Sequence, residues 1–318
     1  MKTITAVTCG NIDTASSRLR SFYLFNHALE DGFIVKRSEE LSDIISADIF
    51  HLQKKFGYKL FFASVMRRLM GKVVIFDFDD QKSGFKGTVL MLLYILVANI
   101  ITTDTEGRRK YWNRYLKFKR FHVVPDVIDI SSEFKFISNF ENIHDRSYKL
   151  VWTGNANNIK SIEPLLTMLH KKTKFKITMV VDSKSAMEIS AQYPWVAVVT
   201  WRKDIIFDSQ FRNSFMILNH AIDQEAVLKS DNKMVLAIAA GVVPIVSRTP
   251  AYHALATALD AEKLVFDSFE DIEKIISNIN HHWVQKFLSR SQQYIENHYS
   301  SINVYNNFKQ KILGSSFN

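Results

Sequence analysis

Cysteine is nearly absent from this chain of 318 residues, in which Cys9 is the only one. A lone cysteine cannot form an internal disulfide, and it cannot build a zinc site from several thiolates. The amino-terminal stretch MKTITAVTCGN carries too short an apolar run for a secretory signal peptide. These features favour a reducing compartment, so we expect a cytoplasmic protein.

Proline and glycine are also scarce, with five and ten residues respectively. This scarcity argues against fibrous and disordered classes. Apolar residues make up 47% of the chain, which is enough to build sizeable cores. The chain length suits two domains of about 150 residues each.

No hydrophobic run is long enough to cross a membrane. The longest candidate, Thr88–Ile101 (TVLMLLYILVANII), is shorter than the roughly 20 apolar residues that a span requires, and it contains Asn99. We therefore expect a soluble chain in which this segment is a buried helix that runs into a buried strand. A monotopic contact with a membrane is the alternative interpretation.

Acidic residues are outnumbered, since 41 Lys and Arg stand against 32 Asp and Glu, for a formal net charge of +9. A basic surface attracts polyanions, anionic membranes and phosphorylated ligands. The sequence contains no zinc finger or RNP motif, so we expect no nucleic-acid partner. A peripheral contact with the anionic inner face of the cell membrane stays open, and salt should weaken it.

Short apolar runs alternate with longer helical patterns in the first part of the chain. This rhythm is typical of a parallel sheet covered by helices. An amphipathic helix is predicted at Arg18–Glu30, with Gly32 as its stop. The predicted strands are Thr3–Thr8, Ala47–Leu52, Val73–Phe78, Ile100–Thr103 and Phe121–Val124.

The same alternation restarts after Asp129–Ser147, a stretch of little periodicity that we interpret as a linker. Helices are predicted at Ile159–Lys171 and Met234–Ala240, and the last part of the chain is also helical. The predicted strands are Lys149–Thr153, Lys176–Val181, Val196–Val199, Phe215–Asn219, Val242–Val246 and Ala261–Phe266. The sequence therefore predicts two similar α/β halves.

The most informative stretch is KSDNKMVLAIAAGVVPIVSRTPAY, residues 229–252. Ser230 or Asp231 is a good N-cap for its short helix. Gly241 follows that helix, where a left-handed backbone often ends a helix. The run VVPIV then has the composition of a buried strand.

Two lysines, Lys229 and Lys233, flank the start of this helix. The helix dipole disfavours a cation there by about 0.3–1 kcal/mol. A bound anion would remove that cost, because free backbone N–H groups at a helix start already point outward. A diphosphate is the natural candidate, and two solvated lysines that tolerate the cost are the alternative.

Three segments, WRKD, FMILNHAID and the 229–252 stretch, follow one another in the second half. In this order they resemble the donor half of the family 4-like retaining glycosyltransferases. The matching positions are Trp201, Lys229, Ser230, Lys233, Ala239, Gly241, Pro244, Val246, Ser247 and Tyr252. The resemblance implies that this region binds the ribose and phosphates of a nucleotide-sugar. The donor-site candidates that follow from it are Lys229, Ser230, Lys233 and Tyr252.

Two further segments resemble the same family. VWTGNANNIKSIEPLL is similar to the strand, loop and helix that open its second domain, where Gly154 and Lys160 fall near the donor diphosphate. GNIDTASSRLRSFYLFNHALEDGF is similar to its first loop and helix. That similarity places Ser17, Arg18 and Arg20 at an acceptor or phosphate site, and arginine forks suit phosphate or carboxylate.

The resemblance implies an α/β fold of two Rossmann-like domains facing a cleft, the arrangement called GT-B. It also implies C-terminal helices that pack back on the N-terminal domain. We place an acceptor domain at residues 1–140, a donor domain at 141–300 and a crossing helix at 301–318.

One feature departs from the family pattern. Its members usually carry two glutamates near the donor sugar, and Leu228 and Leu236 stand at those places here. The identity of the donor sugar and the stereochemistry of transfer are therefore open.

Asp77, Asp79 and Asp80 close a predicted strand. Two carboxylates so placed can hold a divalent metal with a nucleotide diphosphate, and a solvated turn is another alternative. The resemblance instead makes Asp79 and Asp80 the catalytic candidates on the acceptor side, with no metal and no cofactor. His51 and His220 also close strands, although a lone histidine is more often structural.

The resemblance thus implies transfer of a hexosyl or deoxyhexosyl group from a nucleoside diphosphate sugar to an acceptor hydroxyl. Lys160, Lys229 and Lys233 would offset the charge on the departing diphosphate. The implied acceptor is a glycan or a lipid-linked glycan, in the assembly of a cell-surface polysaccharide such as capsule or O-antigen. The alternatives are a nucleotide-sugar isomerase of the same fold and a non-catalytic sugar-nucleotide or glycan-binding subunit.

Overall fold

The computed structural model describes residues 1–80, 84–128, 148–154, 156–172, 174–203, 205–220 and 226–314. The chain divides into two compact units. The first unit comprises Met1–Ile128 and His298–Asn318, and the second comprises Asp129–Asn297. The predicted linker, residues 129–147, lies outside the described residues.

The first unit is built on a sheet of six parallel strands in the order β2-β1-β3-β4-β5-β6. The strands are β1 (Thr3–Val7), β2 (Ile34–Arg37), β3 (Ile49–Gln53), β4 (Val73–Phe78), β5 (Ile100–Thr103) and β6 (Phe121–Val123). The helices are α1 (Ala15–Ser17), α2 (Tyr23–Glu30), α3 (Leu41–Ser46), α4 (Tyr58–Leu69), α5 (Gly84–Val97) and α6 (Glu106–Tyr115), with a π-helical turn at Arg18–Phe22.

Successive residues of β4 point to opposite faces of this sheet, and each face has its own hydrophobic core. Phe76 and Phe78 lie in the core beneath α4, α5 and α6. Ile75 lies in the other core, which includes residues of α2. The first unit is therefore a parallel sheet covered by helices on both faces, as its strand rhythm predicts.

The second unit has a separate sheet of six parallel strands in the order β12-β11-β10-β7-β8-β9. The strands are β7 (Tyr148–Thr153), β8 (Phe175–Val181), β9 (Ala197–Thr200), β10 (Ser214–Leu218), β11 (Val243–Ser247) and β12 (Val265–Phe266). The helices are α7 (Glu163–His170), α8 (Ser183–Gln192), α9 (Asn232–Ala239), α10 (Pro250–Ala258), α11 (Phe269–Ser277) and α12 (His281–Tyr299).

A further helix, α13 (Ser301–Phe308), returns to the first unit. Tyr305 and Phe308 are buried in the same core as α2. The Tyr305 hydroxyl donates to Asp31 Oδ2 over 2.7 Å, and Ser301 Oγ lies 2.9 Å from His27 Nε2. The prediction that the C-terminal helices pack on the N-terminal half is confirmed.

Two predicted helix stops are confirmed by backbone geometry. Gly32 and Gly241 have φ angles of 81° and 72°, in the left-handed region that favours glycine. The Val242 N–H donates to the Ala237 carbonyl and the Gly241 N–H to that of Ile238, which completes the carboxyl-terminal cap of α9.

Two other expectations differ from the structure. The strand β2 was not predicted, because it is an edge strand whose residues are mostly exposed and half charged (IVKR). The predicted strand Ala261–Phe266 is wrong over most of its length. Residues Glu262–Leu264 form a 3₁₀ turn instead, and only Val265–Phe266 pair with β11.

The apolar segment 88–101 forms the greater part of α5 and the start of β5. The helix–strand prediction is confirmed, but the helix is buried on one side only, because Leu93 and Leu96 remain exposed. Among the described residues, no helix combines the length and hydrophobicity needed to cross a membrane.

Candidate functional site

The carboxyl ends of β7, β10 and β11 carry most of the predicted donor-site residues. Parallel strands end at the same edge of a sheet, and ligands of open α/β sheets bind in the crevice outside that edge. Gly154 follows β7, and His220 lies just beyond β10. The helix α9 begins at Asn232 and places Lys233 in its first turn, next to the end of β7.

Lys233 is the central cation of this edge. Its Nζ atom donates to the carbonyl oxygen of Thr153 over 3.0 Å. Burial and the nearby charge of Lys229 lower the pKa of Lys233 to about 8. The charged form of Lys233 is therefore disfavoured, and an anion bound nearby would stabilise it.

A pocket opens beside Lys233, with about 480 Å³ of space that is partly open to solvent. Its walls come from the ends of the central strands, from α9 and from the segment that follows β9. The lining residues are Thr153, Val180, Trp201, Arg202, Lys203, Ile205, Ile206, Phe207, Met216, Lys233 and Leu236. The pocket thus combines an apolar wall with three basic side chains, and its lining includes no carboxylate among the described residues. Arg202, one of these cations, pairs with Asp208 over 2.6 Å.

Gly154 lies against the indole of Trp152. A Cβ atom at this position would stand 2.4 Å from two carbons of that ring. The ring is buried, so it cannot swing away into solvent. Glycine is therefore required here by close packing within the unit, whatever ligand approaches its backbone.

Replacing Gly154 by alanine should destabilise the second unit by about 1–3 kcal/mol, because an overpacked core must shift to make room. Urea unfolding of the variant measures this loss. Gly57→Ala is the matched control, since nothing lies within 4 Å of its added Cβ and its φ of 174° is ordinary extended backbone. Equal stability of the two variants would contradict the steric argument.

The other predicted donor residues differ in accessibility. Lys229 and Ser230 are half-buried and precede α9. Lys160 is exposed on the 3₁₀ turn Ala156–Ser161 that follows β7. That turn is held to the end of β10, because Asn219 Nδ2 donates to the Ser161 carbonyl over 2.6 Å.

Tyr252 is fully buried in α10. Its hydroxyl lies 3.2 Å from His220 Nε2, and the two rings are stacked. Burial and the charge of Asp231 raise the pKa of Tyr252, so its hydroxyl stays neutral. The backbone N–H of His220 donates to Ser247 Oγ over 3.0 Å. These contacts make Tyr252 and His220 a packed support under the sheet edge.

The structure also shows the positions of the two leucines that stand where the family 4-like glycosyltransferases usually carry glutamates. Leu228 is buried on the turn before α9. Leu236 lines the apolar side of the pocket. Neither position can donate or accept a hydrogen bond through its side chain.

Ser17 and Arg18 hold the loop after β1. Ser17 Oγ accepts from the Gly10 N–H over 3.0 Å. Arg18 is buried, and its Nη1 atom donates to the carbonyls of Ile12 and Asp13 over 2.9 and 3.0 Å. Both side chains were predicted to bind an acceptor or a phosphate, but in the structure they form hydrogen bonds with the backbone of this loop.

Arg20 forms a buried ion pair with Asp77. Its Nε and Nη2 atoms donate to the two carboxylate oxygens of Asp77 over 2.9 and 2.6 Å. Its Nη1 atom donates to the Val124 carbonyl and to Asp126 Oδ1 over 2.8 and 3.0 Å. Burial alone would raise the pKa of Asp77, but Arg20 and a hydrogen bond from Thr102 lower it overall.

Asp79 and Asp80 follow β4 and share one cation, Lys54, which directly follows β3. The Lys54 Nζ atom lies 2.8 Å from Asp79 Oδ1, as an ion pair without hydrogen-bond geometry, and 2.9 Å from Asp80 Oδ2. Burial of Lys54 is outweighed by these two carboxylates, so its pKa is raised. Lys54 was not predicted from the sequence, because its partners follow a different strand.

Two more carboxylates, Asp104 and Asp126, lie beyond the ends of β5 and β6. Burial raises the pKa of Asp126 to about 6, with Asp104 and Asp79 adding to the rise and Arg20 opposing it. Burial also raises the pKa of Asp104, although Arg108 Nε donates to it over 2.6 Å. The sequence signal for Asp104 was its position directly after β5, whereas Asp126 lies three residues beyond the end of β6.

The described residues contain no group of three or more His, Cys, Asp or Glu side chains that could hold a metal ion. The residues at this edge of the first sheet instead pair carboxylates with Arg20, Lys54 and Arg108.

No protein-family model matches the chain, and no curated protein matches it in sequence. Solved structures do match. A glycosyltransferase from Rickettsia africae is similar with a TM-score of 0.65 at 10% identity, over 99% of this chain and 98% of that one. HepE from Anabaena, solved with UDP and glucose, has a TM-score of 0.64 at 10% identity, over 99% and 100%. The lipopolysaccharide outer core galactosyltransferase WaaB has a TM-score of 0.61 at 12% identity, over 98% and 99%. The chain therefore has the GT-B fold that its sequence predicts.

Proposed function

We propose that this protein is a glycosyltransferase that moves a sugar from a nucleoside diphosphate sugar to an acceptor hydroxyl. The observation that carries the proposal is the environment of Lys233. This cation stands at a helix start, its protein partner is a neutral carbonyl, and the pocket beside it is lined by further basic residues. Such a site suits an anion that arrives with an apolar group attached.

The pocket divides naturally between the two ends of such a ligand. The diphosphate would meet Lys233 and the backbone N–H groups at the start of α9, with Lys229, Ser230 and Lys160 nearby. The nucleobase would lie against the apolar wall, where the indole of Trp201 is half exposed. The lysines would offset the charge that develops on the departing diphosphate without a metal. Structural neighbours solved with UDP and glucose or with ADP support this kind of donor.

Carboxylates of the first unit are proposed to act on the acceptor. Asp79 and Asp80 are held in place by Lys54. Asp126, with a pKa of about 6, is suited to accept a proton from an acceptor hydroxyl near neutral pH. Arg20 would position Asp77 and Asp126 from within the protein rather than touch the acceptor.

We propose a glycan or a lipid-linked glycan as the acceptor, in the assembly of a cell-surface polysaccharide. One structural neighbour is a lipopolysaccharide galactosyltransferase, which supports this acceptor class. Leu228 and Leu236 offer no polar atoms to the donor sugar, so a sugar with fewer hydroxyl groups, such as a deoxyhexose, fits these positions best.

Calorimetric titration with UDP, GDP, ADP and TDP tests the donor site. At least one nucleotide should bind, and at 100 times its dissociation constant it should stabilise the fold by about 2.7 kcal/mol. The matching nucleotide-sugars are then incubated with the protein, and release of the nucleoside diphosphate is measured. Failure of all four nucleotides to bind would overturn the proposal. Binding without release, with or without added glycan acceptors, would indicate a non-catalytic binding subunit.

A further inference from the structure

Large apolar side chains stand in solvent on the outward side of α4 and α5. Phe85 is 88% exposed, Leu69 76% and Phe62 64%. The two helices are neighbours in one layer, where Phe61 of α4 contacts the ring of Tyr94 of α5 at 5.5 Å between centroids. Exposed apolar side chains that gather in one place mark a surface that contacts something other than water.

The exposure on α5 follows the helical period. The exposed apolar residues of this helix are Phe85, Val89, Leu90, Leu93 and Leu96, which fall on one side of a helix with 3.6 residues per turn. The opposite side carries Met91, Tyr94 and Ile95, which are buried in the core. Burying one side of α5 on the sheet is all that the fold requires, so the apolar outward side has no role within the unit.

The charges on these helices all have the same sign. Neither α4 (YKLFFASVMRRL) nor α5 (GFKGTVLMLLYILV) contains an acidic residue. Lys59, Arg68 and Lys86 are exposed on them. A surface that is apolar and basic complements the interface of a bilayer with anionic headgroups, where apolar side chains enter the acyl boundary and lysines reach the phosphates.

We propose that this outward side of α4 and α5, the α4–α5 face, docks the protein on the surface of a bilayer that contains anionic lipid. A second copy of the chain fits the same face less well. A two-fold symmetric dimer sets a surface against itself, so the cations of one copy would confront those of the other, without acidic residues on either helix to pair with them. The inference does not depend on the donor site, which lies in the other unit.

Vesicle co-sedimentation of the full chain tests the proposal. Vesicles of phosphatidylcholine with about one-third phosphatidylglycerol supply the negative surface potential, and pure phosphatidylcholine vesicles are the comparison. We expect binding to the anionic vesicles that weakens when salt is raised from about 0.1 M to about 1 M, which shortens the Debye length from about 10 Å to about 3 Å. Absence of binding to the anionic vesicles would overturn the proposal.

Two double variants assign the binding to the face. Lys59→Gln with Lys86→Gln should weaken it about 30-fold, because a lysine near an anionic surface contributes about fivefold. Phe62→Ser with Phe85→Ser should weaken it at least about tenfold. The matched control is Lys184→Gln with Met187→Ser, an exposed pair on α8 of the other unit, which should bind like the original protein.

Circular dichroism and thermal unfolding show whether each variant is folded. If a double variant does not fold, the single substitutions at the same positions are tested in its place. Equal binding by the folded variants and the control would overturn the proposal. A dimer seen by sedimentation velocity that the same variants dissociate would also overturn it, and would assign the face to a second copy.

Discussion

Replacing Lys233 by alanine should weaken the binding of a nucleoside diphosphate by about 1.5–3 kcal/mol, the contribution of a hydrogen bond to a charged group. This corresponds to a loss in affinity of roughly 10- to 150-fold. The reason is that Lys233 is the cation nearest the start of α9, and its ammonium already lies 3.0 Å from the Thr153 carbonyl at the pocket wall. Calorimetric titration of the variant and the original protein measures the difference.

The pH dependence of nucleotide affinity gives a second test of the role of Lys233. The pKa of Lys233 is about 8 in the free protein, and a bound diphosphate should raise it. The affinity should therefore be highest below pH 8 and should fall as the pH rises above it, because the neutral amine no longer attracts the anion. Lys233→Ala should lack this fall.

The stability of the unliganded protein gives the control. The pKa of Lys233 is depressed on folding, so the unfolded chain binds more protons between its folded and unfolded pKa values. The free energy of unfolding should rise with pH through this window. Lys233→Ala should lose that rise, and at neutral pH it should be at least as stable as the original protein, because the cost of burying the charge is gone. Lys171→Ala, on an exposed residue, should change neither binding nor stability. Equal nucleotide affinity of Lys233→Ala and Lys171→Ala would remove the physical support for the donor site.

Replacing Asp77 by alanine should cost the first unit about 3–5 kcal/mol of stability, because it removes one partner of a buried ion pair. Asp77 accepts two hydrogen bonds from Arg20 and one from Thr102, and all three side chains are buried. The variant leaves the guanidinium with only part of its hydrogen bonds, to Asp126 and the Val124 carbonyl. Urea unfolding, followed by circular dichroism, measures the loss.

An exposed ion pair gives the comparison for this loss. Arg248 and Asp267 are bidentate as well, with contacts of 2.6 and 2.9 Å, but both are open to solvent. Solvent and salt screen such a pair, so Asp267→Ala should leave the stability nearly unchanged. A small effect for both variants would show that the Arg20–Asp77 pair does not hold the first unit together.

The fold could be predicted because nearly every central strand is a short apolar run that ends at a polar residue. Buried parallel strands must be apolar on both faces, and this constraint leaves a local signal in the sequence. The edge strand β2 is mostly exposed, and its sequence, IVKR, does not differ from that of an ordinary polar segment. In the predicted strand Ala261–Phe266 (AEKLVF), the apolar residue Leu264 is buried in a turn, and composition alone does not separate a buried turn from a strand.

The candidate site was less predictable, because its contacts join residues that are far apart in the chain. Lys233 was found through a local motif and a helix start, and the structure places it at a pocket. Arg20 was also predicted from a local motif, yet its guanidinium forms hydrogen bonds with Asp77, which lies 57 residues away in the chain. Lys54 and Asp126 matter through charges that belong to other strands. No local pattern reports such pairings.

The return of α13 to the first unit constrains the order in which the chain can fold during synthesis. The core beneath α2 needs Tyr305 and Phe308, but the whole second unit, Asp129–Asn297, is made before them. At about 5–20 residues per second, a ribosome takes roughly 10–30 s to make those residues. For that time the apolar side of α2 around Phe25 has no partner helix. The first unit is thus the first to emerge from the ribosome and among the last parts of the protein to be completed.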